Sequence, residues 1–207
     1  MLFVFFVLCS ALTPALCCDW LDQRFSNVNN ECLTHLKLMG DPLTEEESPV
    51  PFPYDLYQSM RNTQVLESQL LFIRDSLKLI SDLYHHGNRS SAAWNTNEET
   101  NFLITIDRQN EELNKCVSIE KPVKVLLRKY YKRLEKSALH RMLPVEKPVN
   151  VTLSEYYKSL EKSALDRTGG GTTYWELIRM ETKRHLDQLE MLVSIITSRR
   201  RSAASPH

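Results

Sequence analysis

The strongest constraint on the fold is the spacing of apolar residues, which recur at intervals of three and four along most of the chain. This spacing places them on one face of an α-helix. We call each such set of residues a stripe. Four of them are Leu21, Phe25, Val28, Cys32, Leu36 and Met39; Leu66, Leu70, Ile73, Leu77, Ile80 and Tyr84; Phe102, Ile106, Leu113 and Cys116; and Ile178, Thr182, His185, Leu189, Leu192 and Ile196. No segment alternates as a strand does. Helices with one apolar face must pack on one another, so the sequence predicts an all-α bundle.

Proline, glycine and polar clusters mark the connections between these helices. The stretch TEEESPVPFPYDLY, residues 44–57, predicts a long loop because its prolines exclude a regular helix. Thr96 with Glu99, and Thr173 with Glu176, predict capping boxes at the starts of the third and last helices. The polar residues 198–207, SRRRSAASPH, predict a flexible basic tail.

The beginning of the chain indicates secretion. Residues 1–17, MLFVFFVLCSALTPALC, carry no charged side chain and end with Ala15 and Cys17 at the spacing that a signal peptidase accepts. We therefore expect a cleaved signal peptide, a helical domain over residues 18–197 and no membrane insertion, because no later stretch is apolar enough to span a bilayer. The formal net charge of zero argues against nonspecific nucleic-acid binding.

Three cysteines remain after the signal peptide, namely Cys18, Cys32 and Cys116. In an oxidising compartment two of three are expected to pair. Cys32 lies on an apolar stripe, which favours a buried thiol over a bridge between molecules. The sequons at Asn88 and Asn150 predict glycosylation sites.

Signatures of catalysis are missing from the sequence. It has neither HExxH nor GxSxG, and its GGGTTY turn lacks the lysine of a phosphate-binding loop. The pair His85 and His86 is better explained as the end of a helix than as a metal site. We therefore expect no enzyme, cofactor or metal site.

The chain repeats one segment, because residues 120–141 and 146–167 are identical at 16 of 22 aligned positions. Both copies begin with Glu-Lys-Pro, and each carries an apolar stripe: Leu127, Tyr131, Leu134 and Ala138 in the first, and Leu153, Tyr157, Leu160 and Ala164 in the second. The first copy is strongly basic, so it could contact membranes or polyanions, although a solvated bundle face is the favoured interpretation.

The two copies differ in how they connect to the rest of the chain. Residues 168–172 reach at most ~17 Å, less than the ~30 Å length of a twenty-residue helix, so the second copy must neighbour the last helix. Thr152 and Glu155 add a capping box to that copy. We expect the second copy to occupy the bundle and the first to form an extra outer helix.

Several motifs resemble those of the type I interferons of bony fishes across the whole mature chain. They are CDWL, PVPFPYDLY, ELNKCVS, RKYYKRL and YWELIRMETKRHLDQL. The resemblance is closest to the group with one disulfide, and it implies a bridge between Cys18 and Cys116. It also implies a four-helical cytokine-type bundle with long crossover loops, to which the duplication adds one helix.

The resemblance further implies a secreted, monomeric antiviral cytokine. Such a cytokine bridges the two chains of a heterodimeric class II cytokine receptor and triggers JAK–STAT signalling and antiviral gene expression. The residues implied to contact the receptor through the long first loop and the last helix are Phe52, Pro53, Arg179, Lys183 and Arg184. Trp175 is expected in the core and Arg179 at the surface. A decoy ligand impaired by the extra helix and a membrane-active cationic helical protein are the alternatives.

Overall fold

The computed structural model describes residues 18–43, 48, 50–87, 89–118, 149–168 and 171–204. These residues form α1 (Asp19–Gln23), α2 (Phe25–Leu38), α3 (Tyr54–Asn62), α4 (Leu66–His86), α5 (Thr96–Ser118), α6 (Val149–Thr168) and α7 (Thr172–Ala204). A short 3-10 turn, Arg89–Ser91, lies between α4 and α5. The described part of the chain contains no strand, and the all-α prediction is confirmed.

The core of the bundle is built from the predicted apolar stripes. Every residue of the four stripes is buried except Leu66, which is the first residue of α4. The buried side chains form one continuous apolar cluster that includes residues from all seven helices. The stripes therefore face one another across a shared core, as amphipathic helices require.

The order in which residues meet gives the direction of each helix. The end of α2 meets the start of α5, where the Asn95 amide donates to the Met39 carbonyl at 2.6 Å. Further along the pair, His35 of α2 bonds to Glu98 of α5 at 2.7 Å, so the two helices are antiparallel. α4 is antiparallel to α7, because its end bonds to the first half of α7 through Tyr84 and Thr182 at 3.1 Å.

Contacts between α2 and α7 complete the topology. Asn29 of α2 donates to Glu190 of α7 at 3.1 Å, and Asp22 of α1 pairs with Arg200 of α7 at 2.8 Å, so α7 is antiparallel to α2. Thus α2 and α4 run one way, and α5 and α7 run the other. Two bundle helices that run in the same direction need a long connection between them. These crossovers are residues 39–65, between α2 and α4, and the segment between α5 and α7. This up-up-down-down arrangement confirms the predicted four-helical bundle.

The second repeat copy forms α6, which packs against α4 and α7. Its buried side chains are Leu153, Tyr156, Tyr157, Leu160 and Ala164. The prediction that this copy occupies the bundle is therefore confirmed. The predicted outer helix of the first copy, residues 120–141, lies outside the described residues.

The predicted loop over residues 44–57 gives way to helix α3 at Tyr54. The proline run ends at Pro53, after which the chain is able to form regular backbone hydrogen bonds. Tyr57 and Met60, three residues apart, are buried and hold one side of α3 against the core. The loop prediction is therefore wrong for residues 54–57.

The predicted capping boxes are also wrong, because each helix begins earlier than expected. At α5, the side chain of Asn95 accepts bonds from the amides of Asn97 at 3.0 Å and Glu98 at 3.3 Å. Asn95 is thus the cap, one residue before Thr96. At α6 and α7 the helices begin at Val149 and Thr172, which places Thr152 and Thr173 inside the first turns.

The last helix continues to Ala204, so the prediction of a flexible tail is wrong for residues 198–204. Arg199 donates to the carbonyls of Arg61 at 2.8 Å and Thr63 at 3.1 Å, at the carboxyl end of α3. A cation is favourable at that end of a helix. These contacts hold the extension against the bundle. Residues 205–207 lie outside the described residues.

Candidate functional site

The long crossover from α2 to α4 packs against α7 through helix α3. Tyr57 of α3 is hydrogen-bonded to the Nδ1 atom of His185 at 2.5 Å. One turn further, the Nη1 atom of Arg61 donates to the Oε1 atom of Gln188 at 3.0 Å and lies 3.9 Å from the sulfur of Met191. α3 and α7 therefore run side by side and share one outer surface.

An aromatic cluster supports this surface from below. The ring of Phe52 stacks on Tyr57, with a centroid distance of 5.6 Å and an interplanar angle of 14°. Phe52 also contacts the rings of His185 at 4.6 Å and Tyr156 at 6.3 Å, while Tyr157 stacks on His185 at 4.8 Å. Phe52 is buried, so it anchors the loop and leaves the outer contacts to its neighbours.

The cluster is electrically neutral. Complete burial lowers the pKa of His185 to about 3, because its charged form would lose its hydration. The same cause raises the pKa values of the Tyr57, Tyr156 and Tyr157 hydroxyl groups. These side chains therefore act as packing groups rather than as acids or bases.

A buried carboxylate connects the cluster to the surface. The Tyr156 hydroxyl donates to the Oε2 atom of Glu181 at 2.8 Å, and Arg184 pairs with the Oε1 atom of Glu181 at 2.7 Å. The pKa of Glu181 is raised, because the effect of burial exceeds that of the bonds from Tyr156 and Arg184, which lower it. The side chain of Glu181 is 1% exposed and that of Arg184 is 40% exposed, so the pair reaches from the interior to solvent.

We define the α3–α7 surface by its outward-facing residues: Pro53, Tyr54, Arg61, Arg184, Gln188 and Met191. Tyr54 is 55% exposed and Met191 is 49% exposed, so both side chains offer apolar area to solvent. The surface therefore combines two exposed apolar groups with two arginines. Tyrosine, methionine and arginine are enriched where proteins bind other proteins.

Lys183 faces a different side of α7. It pairs with Asp187 one turn later at 2.6 Å. The same stripe of the helix continues to Glu190, which accepts a bond from Asn29 of α2. The structure thus brings Phe52, Pro53 and Arg184 together, and places Lys183 toward α2.

The expectation that Arg179 is exposed is wrong, because its side chain is completely buried. It pairs with Glu176 at 2.6 Å and donates to the backbone carbonyl of Asp41. Glu176 also accepts a bond from the indole of Trp94 at 2.9 Å. The end of α2 and the loop before α5 cover Arg179 together, and a side chain at Gly40 would collide with its guanidinium. Arg179 is therefore a structural residue that joins three parts of the fold.

Trp175 lies in the core as expected and is 2% exposed. Its ring meets Trp94 at 5.5 Å and Tyr84 at 6.0 Å. A Cβ atom at Gly87 would collide with the Trp175 ring, so the glycine that ends α4 also allows this close packing.

The expected covalent sites have mixed outcomes. Cys32 is completely buried, as predicted, and burial raises the pKa of its thiol, to which nearby Glu31 also contributes. That this thiol is unpaired stays a prediction. Cys18 and Cys116 are buried in the same apolar cluster, and their pairing stays a prediction. Asn88 lies outside the described residues. Asn150 lies in the first turn of α6, and its glycosylation also stays a prediction.

Sequence reasoning missed most of the α3–α7 surface, namely Tyr54, Arg61, Gln188 and Met191. The spacing of Tyr57 and Met60 was a local signal for α3 that could have placed these residues on a helix. That α3 packs against α7 is decided by tertiary packing, for which the local sequence gives no signal.

The part of the chain that the structure describes contains no set of three or more His, Cys, Asp or Glu side chains placed to hold a metal ion. None of its helices is both long and apolar enough to cross a membrane.

The bundle topology, with two long crossovers and a surface shared by the first crossover and the last helix, is that of a helical cytokine. The interferon alpha/beta domain model matches residues 21–196, and the chain belongs to this family. Because this is a family of cytokines, the expectation that the chain is not an enzyme is confirmed.

The chain is 30% identical to interferon a3 of Oncorhynchus mykiss over 191 residues, which are 92% of this chain and 93% of that protein. Its fold is similar to that of zebrafish interferon 1, with a TM-score of 0.66 and 24% sequence identity. That similarity covers 86% of this chain and 99% of the zebrafish chain. The interferon resemblance of the sequence motifs is thereby confirmed.

Proposed function

We propose that this interferon is a secreted antiviral cytokine that bridges the two chains of a class II cytokine receptor. Receptor bridging would trigger JAK–STAT signalling and antiviral gene expression in the target cell. The observation that carries the proposal is the match of the interferon alpha/beta model to residues 21–196. The charge-free leader at residues 1–17 supports secretion.

The α3–α7 surface is the proposed contact with one receptor chain. Tyr54 and Met191 supply apolar area, and Arg184 supplies a charged group that pairs well with carboxylates. Phe52 supports Pro53 and Tyr54 from the core side. Lys183 lies outside this surface, so its contribution is limited to long-range attraction.

The middle helices α4 and α5 are the proposed contact with the second receptor chain. Ile104 of α5 is 61% exposed and offers an apolar side chain on that part of the bundle. Two separate faces are required because each receptor chain must reach the same ligand without displacing the other.

The test measures STAT phosphorylation in cells from a fish host that lack one receptor chain or the other. We expect the response to disappear in both cell lines. A double substitution, Tyr54→Ala with Arg184→Glu, should weaken the response in normal cells by at least about tenfold, since central interface residues contribute 2 kcal/mol or more each. Lys37→Glu is the matched charge reversal, because Lys37 is exposed on α2 away from this surface.

Three outcomes would contradict the proposal. Signalling that persists without either receptor chain would exclude the bridging mechanism. Saturable binding without STAT phosphorylation would indicate a decoy ligand. Binding to anionic lipid vesicles together with lysis of cells that lack the receptor would indicate a membrane-active protein.

A further inference from the structure

Glu181 is an unusual residue for the inner side of α7, because it carries a carboxylate and its side chain is only 1% exposed. A buried carboxylate is unfavourable unless hydrogen bonds or a cation compensate for its lost hydration. Glu181 has both: its Oε2 atom accepts from Tyr156 at 2.8 Å, and its Oε1 atom pairs with Arg184 at 2.7 Å. The two carboxylate oxygens thus bind side chains of two different helices, Tyr156 of α6 and Arg184 of α7.

The partners of Glu181 differ in exposure. Tyr156 belongs to α6 and is buried, whereas Arg184 is one of the cations of the α3–α7 surface. Tyr156 is itself fixed by ring contacts with Phe52 at 6.3 Å and His185 at 5.2 Å. The chain of contacts therefore runs from a rigid aromatic cluster through a buried carboxylate to an exposed guanidinium.

We propose that Glu181, held by Tyr156, is a positioning residue that fixes the guanidinium of Arg184 for a carboxylate of the receptor chain. This inference rests on the function proposed for the α3–α7 surface. A guanidinium has five N–H donors, and the pair with Glu181 engages Nη1, so further donors can bind a second carboxylate. A side chain held in place before binding loses less conformational freedom when the complex forms.

One consequence concerns α6. The second repeat copy contributes to the α3–α7 surface through Tyr156, although Tyr156 is buried and does not itself reach the partner. Substitutions in α6 are then expected to alter receptor affinity as well as stability.

The test is a double-mutant cycle with the full chain and the purified ectodomain of each receptor chain. Affinities are measured for the wild type, Glu181→Gln, Arg184→Ala and the double variant. We expect Glu181→Gln to weaken binding about five- to tenfold in the wild-type background and by less than about twofold when Arg184 is alanine, since contacting residues couple in this range. Thermal unfolding of each variant establishes that the protein compared is folded.

Tyr156→Phe provides a milder second variant that keeps the aromatic ring and removes only the hydroxyl group. It should weaken binding about two- to threefold, again only when Arg184 is present. If Arg184→Ala weakens binding but Glu181→Gln and Tyr156→Phe have the same effect in both backgrounds, their roles are structural and the positioning inference is overturned. If Arg184→Ala itself leaves affinity for both ectodomains unchanged, the proposed surface and this inference fail together.

Discussion

Replacing Arg179 by alanine separates a structural role from a receptor contact, because the two roles predict different losses. In the structure, the guanidinium is 0% exposed, pairs with Glu176 at 2.6 Å and bonds to the Asp41 carbonyl. Arg179→Ala would leave both partners without their cation. The carboxylate would keep its bond from the Trp94 indole at 2.9 Å.

The cost follows from the burial of the pair. Removing one member of a buried ion pair typically destabilises a protein by about 3–5 kcal/mol. Because the side chain of Glu176 is still 15% exposed, the lower end of this range, about 3 kcal/mol, is the better expectation. For a domain of this size that corresponds to a melting temperature lower by about 6–12 °C. The variant should still fold, since domains are stable by about 5–15 kcal/mol.

The assay combines thermal unfolding, followed by circular dichroism, with receptor-dependent STAT phosphorylation normalised to folded protein. Lys183→Ala is the matched control, because it removes a base one turn away that forms only a partly exposed i,i+4 pair. Its effect on stability should stay within about 0.5 kcal/mol. Arg179→Ala should lose stability and keep most of its activity per folded molecule at low temperature.

Gly40 provides an internal check on this geometry. A Cβ atom at residue 40 would collide with the Arg179 guanidinium and lie 2.9 Å from the Trp94 ring. Gly40→Ala should therefore destabilise the wild type more than it destabilises Arg179→Ala. The reasoning would be refuted if Arg179→Ala unfolded within about 2 °C of the wild type and lost signalling more than tenfold, because Arg179 would then be a contact residue.

Three more predictions follow from the cysteines, the buried histidine and the repeat. Non-reducing peptide mapping of the secreted protein should recover Cys18 linked to Cys116, and a link from Cys32 to either of them would contradict this. Because burial lowers the pKa of His185 to about 3, the unfolded state takes up this proton at a higher pH than the folded state. The free energy of unfolding should therefore fall by up to about 1.4 kcal/mol per pH unit below pH 6.5. The buried carboxylate of Glu181, one turn earlier, offsets part of this loss because its pKa is raised. His185→Phe should reduce the pH dependence of the urea unfolding midpoint between pH 6.5 and pH 4.5, and an unchanged pH dependence would exclude this cause. Deleting residues 120–145 should leave a folded, active and more soluble cytokine; if that deletion unfolds the protein and deletion of 142–167 does not, the bundle position belongs to the first copy.

The helices could be predicted from sequence because their apolar faces obey a local rule. Leu70, Ile73, Leu77 and Ile80 mark one face of a helix whatever they pack against, and all four are buried. The same reasoning fails for polar residues, whose environment depends on distant segments. Arg179 is read as a surface cation because nothing near it in sequence shows that Gly40 and Trp94 cover it.

The ends of helices are less predictable for a related reason. The polar composition of residues 198–207 predicts a flexible tail, but in the structure Arg199 donates to the carbonyls of Arg61 and Thr63 at the end of α3. The sequence does not predict that helix, because the prolines before Tyr54 indicate a loop. The missed helix therefore contributes to two errors, namely the tail and the unpredicted residues of the α3–α7 surface.

Side-chain packing alone does not explain why the second repeat copy, rather than the first, packs against α4 and α7. The buried residues of α6 are Leu153, Tyr156, Tyr157, Leu160 and Ala164, and the residues 26 positions earlier are identical at all five. The six differences between the copies all lie at other positions. The core therefore offers no side-chain preference for either copy, whereas the connection to α7 does. Residues 169–171 join α6 to α7 directly, and Gly171 adopts a φ of 85° that favours glycine. A connection this short keeps the second copy beside α7 at a high effective concentration, and the first copy would have to displace it across about thirty residues of chain.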